Sequence, residues 1–263
     1  MQRYYLYLRF LAVVIAITVS YNTVSGQVTK QNYSSTGEIR QDSLALVAFY
    51  HSTNDDNWNN NTNWLSNEPV STWKGITVSD NRVTEIYLIY KNLSGQIPSE
   101  IGYLTDLNEL DLYANQLTGS IPLEIGNLSN LNFLYLSENR LSGQIPPEIG
   151  NLTRLSYSID LNNNKLTGSV PEEFNSLVNI DDWINLSNNR LTGLPDLSGL
   201  AGIQFDFFVY NNRLTFEDLE PNTDLQINFY TQAKTGTERK IRLGIGDTIT
   251  FNGEIGGSAN QYQ

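Results

Sequence analysis

The sequence predicts a solenoid, a stack of short repeating units sharing one elongated hydrophobic core. Three observations carry this. Between Val83 and Leu214 a phrase of about 24 residues is written six times. Within each phrase the apolar residues of LxxLxL alternate as in a half-buried strand. Glycine and proline then recur at fixed offsets, giving the frame LxxLxLxxNxLxGxIPxxIGxL. One such unit cannot bury its apolar face alone, so consecutive units supply each other's core.

Before the repeats, Arg3 and Arg9 precede an apolar run, Phe10 to Val19, followed by small residues up to Gly26. This pattern predicts a secretory signal peptide over 1–26. The alternative is a short membrane anchor, but the run is about half of the ~20 residues that span a bilayer. Residues 27–41 are polar and rich in Ser, Thr and Gly, which predicts a flexible lead-in. Asp42 or Ser43 is then expected to cap a helix, LALVAFYHS, with Leu44, Val47, Ala48 and His51 on one face.

Residues 42–82 are expected to form an N-terminal cap. Trp58, Trp64 and Trp73 stand among Asn and Asp residues, and large aromatics beside polar turns suit the open end of a solenoid. A short strand in PVSTWKGITVS is followed by a turn at Asp80-Asn81 into the first repeat. Asp55, Asp56 and Asn57 have hard oxygens for calcium, but no bidentate Glu follows at the expected spacing, which favours Asx turns.

The segment DSLALVAFYHSTNDDNWNNNTNWLSNEPVSTWKGITVSDNRVTEIYL, followed by NLSGQIPSEIG, resembles the N-terminal cap and first repeat of the plant-type leucine-rich repeat family. With no cysteines and a long Asn-rich NW…NW stretch, it is similar to the secreted bacterial members more than to plant receptor ectodomains. The plant cap usually carries paired cysteines near its Trp-x-Gly-Val motif; Val70 and Val78 occupy that region here, so apolar packing must replace the bridge. The resemblance spans about 42–233 and implies a leucine-rich repeat solenoid that recognises a ligand.

In that reading LxxLxL forms a parallel sheet on a concave face, six strands giving a surface roughly 25 to 30 Å long at ~4.8 Å per strand. The IPxxIG part forms an extended or 3₁₀ convex side, with Ile101, Ile125, Ile149 and Phe174 as a second apolar column. Asn115, Asn139, Asn164, Asn189 and Asn212 fall at one inward position and read as a structural asparagine ladder, with Lys91 in their place in the first phrase. From the fourth phrase onward each strand is preceded by one additional residue, which predicts a bulged sheet.

The frame leaves four columns of outward positions free for function. The residues singled out there as ligand-binding are Tyr87, Tyr90, Glu109, Asp111, Tyr113, Phe133, Tyr135, Asp160, Trp183, Phe208 and Tyr210. The face is aromatic and acidic. Tyr and Trp dominate protein interfaces and also stack on sugars, while on a solvated sheet they have good strand propensity without binding anything. Glu109, Asp111 and Asp160 are the carboxylates from which a glycosidase pair would be built. An open sheet is expected to leave them solvated, without the raised pKa of a general acid, so no enzyme activity and no catalytic residue is expected.

Composition narrows the classes further. The formal charge of −12 argues against a nucleic-acid partner. His51 is the one imidazole and cysteine is absent, so no metal site and no cofactor are expected. The sequons at Asn32, Asn60, Asn92, Asn127, Asn151 and Asn185 read as glycosylation sites or as part of the repeat phrase.

The repeats with a C-terminal cap are expected over 83–222, closed by Phe216 and Leu219, then a linker over 223–240. Residues 241–263 read as the first strands of an incomplete immunoglobulin-like β-sandwich. The expected function is a secreted or cell-surface binding protein recognising an extracellular protein or glycan through the concave face, not inserted in the membrane after signal removal. A structural spacer or adhesin module with no ligand on the solenoid is the alternative, and a receptor-ectodomain fragment is weaker still. Oligomeric state is not legible.

Overall fold

The computed structural model describes residues 37–200, 206–215, 218, 220–222, 227–231 and 239–242, all within one compact unit, Ser35–Gln263. The expected signal peptide, most of the lead-in, Phe216 and Leu219, and the β-sandwich beyond Arg242 lie outside the described residues.

The chain opens with helix α1 (Gly37–Ser52). It starts five residues ahead of the expected cap, so Asp42 lies inside it. Its buried residues include Asp42, Ala45, Leu46, Phe49 and, as expected, Val47, whereas His51 is exposed and Leu44 and Ala48 are half-buried. The face expected from the sequence is thus rotated. The reason is Asp42: a carboxylate read as a cap is fully buried and serves as a latch. It accepts hydrogen bonds from the Val83 backbone N–H at 2.8 Å and from Arg82 Nε at 3.1 Å and Nη2 at 3.2 Å. Arg82 also pairs with Asp106 at 3.1 Å. The helix is thereby pinned to the first strand of the repeats by a charge that could not be buried without such partners.

Beyond α1 the aromatics of the cap converge. Tyr50 stacks on Trp64 (5.3 Å between centroids, 17°) and meets Trp58 edge-on at 4.9 Å, while Trp64 lies 5.0 Å from Trp73. The indole N–H groups of Trp58 and Trp64 donate to the carbonyls of Thr53 and Lys74, both at 2.9 Å, so these rings are buried without orphaned donors. Strands β1 (Ile76–Ser79) and β2 (Arg82–Tyr87) form an antiparallel hairpin. Asp80 and Asn81 both have positive φ (49° and 64°), the backbone that a tight two-residue hairpin needs.

Each following repeat places one strand in the main sheet. These are β4 (Glu109–Asp111), β6 (Phe133–Tyr135), β8 (Ser158–Asp160), β10 (Trp183–Asn185) and β12 (Asp206–Phe208), joined in parallel after β2. On the other side lie β3 (Ser94–Gln96) paired with β5 (Gln116–Thr118), and the row β7 (Ser142–Gln144), β9 (Lys165–Ser169) and β11 (Arg190–Gly193). Five-residue 3₁₀ turns follow at Ser99–Tyr103, Leu123–Asn127, Pro147–Asn151 and Glu172–Ser176, each entered from a proline held near φ −70°. Ile101, Ile125, Ile149 and Phe174 are fully buried in those turns.

The core runs along the stack as columns of identical positions. Ile86, Leu110, Leu134, Ile159, Ile184 and Phe207 are all fully excluded from solvent, each contributing about 1.5–3 kcal/mol of transfer free energy. At Gly95 (φ 98°) the chain passes so close to the end of α1 that a Cβ would collide with the Ser52 carbonyl oxygen. Only glycine combines that φ with that approach.

Two expectations are corrected. The extra residues from the fourth phrase onward do not bulge the sheet: β6, β8, β10 and β12 pair in unbroken register. The insertion is absorbed before the strand, where the backbone N–H of Asp182 donates to the Tyr157 carbonyl and that of Asp206 to the Asp182 carbonyl. The expected linker also contains a strand. β13 (Ile227–Thr231) joins β12 in parallel, and β14 (Arg239–Arg242) pairs antiparallel to β13, bringing the main sheet to nine strands.

Candidate functional site: the open face of the nine-stranded sheet

Because side chains alternate along a strand, burying Ile86, Leu110 and their equivalents turns the flanking residues outward. Across β2, β4, β6, β8, β10 and β12 one row reads Glu85, Glu109, Phe133, Ser158, Trp183 and Asp206. The next reads Tyr87, Asp111, Tyr135, Asp160, Asn185 and Phe208. A third, Ile89, Tyr113, Ser137, Asn162, Ser187 and Tyr210, lies beyond the strand ends, and a fourth runs Tyr90, Ala114, Glu138, Asn163, Asn188 and Asn211. Backbone hydrogen bonds from repeat to repeat hold the fourth row in line, as from Tyr90 N–H to the Tyr113 carbonyl. Every residue of that fourth row has φ between 50° and 55°. This left-handed backbone suits Asn and disfavours Tyr, Ala and Glu.

The ladder beneath these rows is satisfied at every step. Asn139 Nδ2 donates to the carbonyls of Leu112, Leu136 and Ser137 at 2.9–3.1 Å, and its Oδ1 accepts from the Leu117 N–H at 2.9 Å. Asn115, Asn164, Asn189 and Asn212 repeat the pattern, all 8–9% exposed. The Lys91 and Leu93 N–H groups both donate to Asn115 Oδ1 at 3.0 Å, so the first turn borrows its amide from the second.

The outward residues are not uniformly exposed. Tyr87 (54%) and Tyr90 (63%) stand well into solvent, while Tyr113, Phe133, Tyr135, Trp183, Phe208 and Tyr210 are half-buried and Asp111 is buried. The rings associate in groups. The hydroxyls of Tyr90 and Tyr113 share a hydrogen bond at 3.4 Å, with the rings edge-on at 5.4 Å. That contact, ahead of burial, pushes the Tyr113 phenol up to about 12. Tyr135 bonds Ser158 Oγ through its hydroxyl at 2.6 Å and lies nearly parallel to Trp183 at 6.3 Å.

Phe133 stacks on Tyr157 at 4.3 Å and 8°. Tyr157, 47% exposed, is a member of this surface that the sequence reading missed. Its signal was present as the additional residue of the fourth phrase, interpreted there as a bulge.

The carboxylates contradict the expectation that an open sheet leaves them solvated. Burial raises Asp111 above the ordinary aspartate value, opposed by the hydrogen bond from the Tyr113 N–H and assisted by the charge of Asp160. Burial likewise raises Asp160, although Asn162 N–H, Asn162 Nδ2 and Ser137 Oγ all donate to it. Glu109 is raised by burial, then by Asp111 and Glu85. The strand neighbours of Asp111 are Tyr87 and Tyr135, both bulky rings. The desolvation argument against acid chemistry therefore fails. What remains is the geometry of a row of carboxylates interleaved with rings.

Among the described residues no group of three or more His, Cys, Asp or Glu is placed to hold a metal ion, and Asp55 instead meets His51 Nδ1 at 2.7 Å. No described helix is long and apolar enough to cross a membrane.

Known proteins match this architecture. The Leucine Rich Repeat family model matches residues 106–128, 130–152 and 157–177. A probable leucine-rich repeat receptor-like protein kinase of Arabidopsis thaliana is 48% identical over 54 residues, which are 20% of this chain and 6% of that protein. Among solved structures, the ectodomain of the Arabidopsis membrane receptor kinase GASSHO1/SCHENGEN3, in complex with CASPARIAN STRIP INTEGRITY FACTOR 2, superposes with a TM-score of 0.62 at 30% identity. That match covers 71% of this chain and 23% of that one. The Arabidopsis BIR2 ectodomain gives a TM-score of 0.53 at 26% identity, over 71% of this chain and 98% of that one. The chain thus spans a small part of the curated relative and about a quarter of the GASSHO1 ectodomain. The chain is a leucine-rich repeat solenoid, similar in its repeats and in its fold to the ectodomains of plant receptor kinases.

Proposed function

We propose that this protein is an extracellular binding module that holds a segment of a partner protein across the open face of its nine-stranded sheet. The observation carrying this is the composition of that face. Of its 24 outward positions in four rows, eight are aromatic, six are acidic and none is Lys or Arg. A solvated sheet without a partner has no need to hold rings in half-buried groups, and such groups are what interface anchors look like. The likeness to an ectodomain solved with a bound factor supports the same reading. Pre-organised rings on short strands tied by the asparagine ladder lose little entropy on binding. The module is read as non-catalytic and as secreted or displayed at the cell surface.

The test is a binding screen of the whole chain against extracellular proteins and polysaccharides, beside a variant carrying Tyr87→Ser, Tyr113→Ser and Tyr135→Ser. Protein hits that vanish in a variant still folding cooperatively support the reading. Hits confined to polysaccharides would assign the face to sugar stacking. Silence across the screen would favour a spacer or adhesin module, and unfolding of the variant would show the tyrosines to be core.

A further inference from the structure

On the open face Tyr90 and Tyr113 bring two phenols together. Their oxygens lie 3.4 Å apart, and the rings meet edge-on with centroids 5.4 Å apart at 81°. Where Tyr157 and Tyr135 meet neighbouring rings, those rings are Phe133 and Trp183, which carry no phenol.

The backbone fixes this approach. The Tyr90 N–H donates to the Tyr113 carbonyl at 3.2 Å, and Asn59 Nδ2 donates to the Tyr90 carbonyl at 3.4 Å. Tyr90 itself is held at φ 54°, a region that bulky side chains rarely occupy. Two residues 23 positions apart in the chain are thereby set side by side before any partner arrives. Tyr90 is 63% exposed and Tyr113 half-buried, so a reagent in solution reaches the pair.

Composition directs oxidation to such groups. The chain has no cysteine and one methionine, Met1, so sulfur can absorb little oxidising power. Trp58, Trp64 and Trp73 are buried in the cap. The accessible side chains that give up one electron are then the tyrosines, with the half-buried Trp183.

We infer that Tyr90 and Tyr113 form a modification site, at which a peroxidase using hydrogen peroxide joins the two rings as a dityrosine. Each phenol gives up one electron and one proton, and the pair reduces one hydrogen peroxide to two waters. The two phenoxyl radicals couple, a carbon–carbon bond forming between the ring carbons next to those that bear oxygen. Each of these carbons then loses its hydrogen as a proton while the oxygen takes one up, which restores both aromatic rings and both phenols. The protein loses two hydrogen atoms in all. Contact through the hydroxyls places the coupling carbons beside each other, and the shared hydrogen bond gives the first departing proton an acceptor. Coupling within one molecule is favoured over coupling between molecules, because the partner ring is already in place. The link ties the first repeat to the second and restricts the unfolded chain.

The test treats the whole chain, at high dilution, with a haem peroxidase and hydrogen peroxide. Expected in the monomer are dityrosine fluorescence, a mass lower by two hydrogens and a raised melting temperature. After cleavage at Lys and Arg, peptide 83–91 should appear joined to peptide 92–140, with fragmentation placing the link at Tyr90 and Tyr113. Tyr90→Phe and Tyr113→Phe keep both rings and remove one phenol, so each should abolish the monomeric product. Tyr103→Phe, on a 3₁₀ turn outside the sheet, should leave its yield unchanged. Dityrosine confined to crosslinked dimers, a monomeric link through any other tyrosine, or a link that survives Tyr90→Phe overturns the inference. A product lost equally in Tyr103→Phe does the same. None of these readouts involves a binding partner, so failure here leaves the open-face reading standing, and failure of that reading leaves this site.

Discussion

Phe133 and Tyr157 lie face to face, 4.3 Å apart and 8° from parallel, although they come from different repeats and Tyr157 occupies a position that the first three repeats do not have. The contact joins the edge of the sheet to its aromatic row. A double-mutant cycle with Phe133→Ala and Tyr157→Ala should return a coupling of about 0.5–1.5 kcal/mol by chemical denaturation. Strict additivity would show that the rings do not support each other.

The asparagine ladder should be sensitive in its middle. In Asn139→Ala the Leu117 N–H loses its acceptor, while the carbonyls of Leu112, Leu136 and Ser137 keep donors from Asn115, Asn164 and the Ala114 N–H. At roughly 1–3 kcal/mol per unsatisfied buried group, a loss of about 1–3 kcal/mol is expected. A melting temperature within a degree or two of the parent would refute that role.

Asp42 should matter far more than a helix cap. Asp42→Ala takes from Arg82, whose side chain is 17% exposed, its buried partner, leaving it Asp106 and Thr105, and strips the Val83 N–H of its acceptor. Breaking one side of a buried pair costs about 3–5 kcal/mol. Hydrogen exchange should show α1 deprotected ahead of the repeats; a loss below ~1 kcal/mol, the scale of a cap, would return Asp42 to the simpler role.

The buried carboxylates set a pH dependence of opposite sign to ordinary acid denaturation. Asp111 and Asp160 titrate above the usual 3.8 when folded, so the folded chain binds protons more tightly than the unfolded one. Their contribution is fully present below 3.8, falls as pH rises through the folded values, and then levels off. Asp111→Asn should therefore gain stability over the wild type at pH 7, with the gap closing toward pH 4. A gap that widens on acidification would mean that the native pKa is depressed.

Ala114 sits at φ 55° without the side-chain hydrogen bonding that helps Asn there. Ala114→Gly should raise stability by about 0.5–1 kcal/mol. Thermal denaturation that shows a loss would indicate that the Ala114 methyl packs more than it strains.

Much of this molecule was legible beforehand, and unevenly. The strand register, the inward leucines, the 3₁₀ turns after each proline and the glycines with positive φ all follow from a pattern of period two inside a phrase of fixed length. Where the phrase changed, reading by pattern failed. The added residue before β8 looked like a bulge because nothing local says whether extra chain enters a ladder or precedes it, and strand pairing across repeats decides that. β13 was taken as linker because its partner, β12, is remote in sequence and only pairing reveals it.

The candidate face shows the same division. Periodicity placed Tyr87, Asp111, Tyr135 and Asp160 in one outward row, since alternation alone assigns a side of the sheet. It could not say that Asp111 would be buried, that Asp160 would gather three donors, or that Tyr157 would close on Phe133. Desolvation depends on the bulk of neighbours some 24 residues away in the chain, and Asp42 makes the same point, its burial depending on an arginine 40 residues on. Repetition in the sequence prescribed the backbone, because each unit needs the next to bury its leucines. The environments of the charged groups arose only when the units stacked, because burial and hydrogen bonding are properties of neighbours in space.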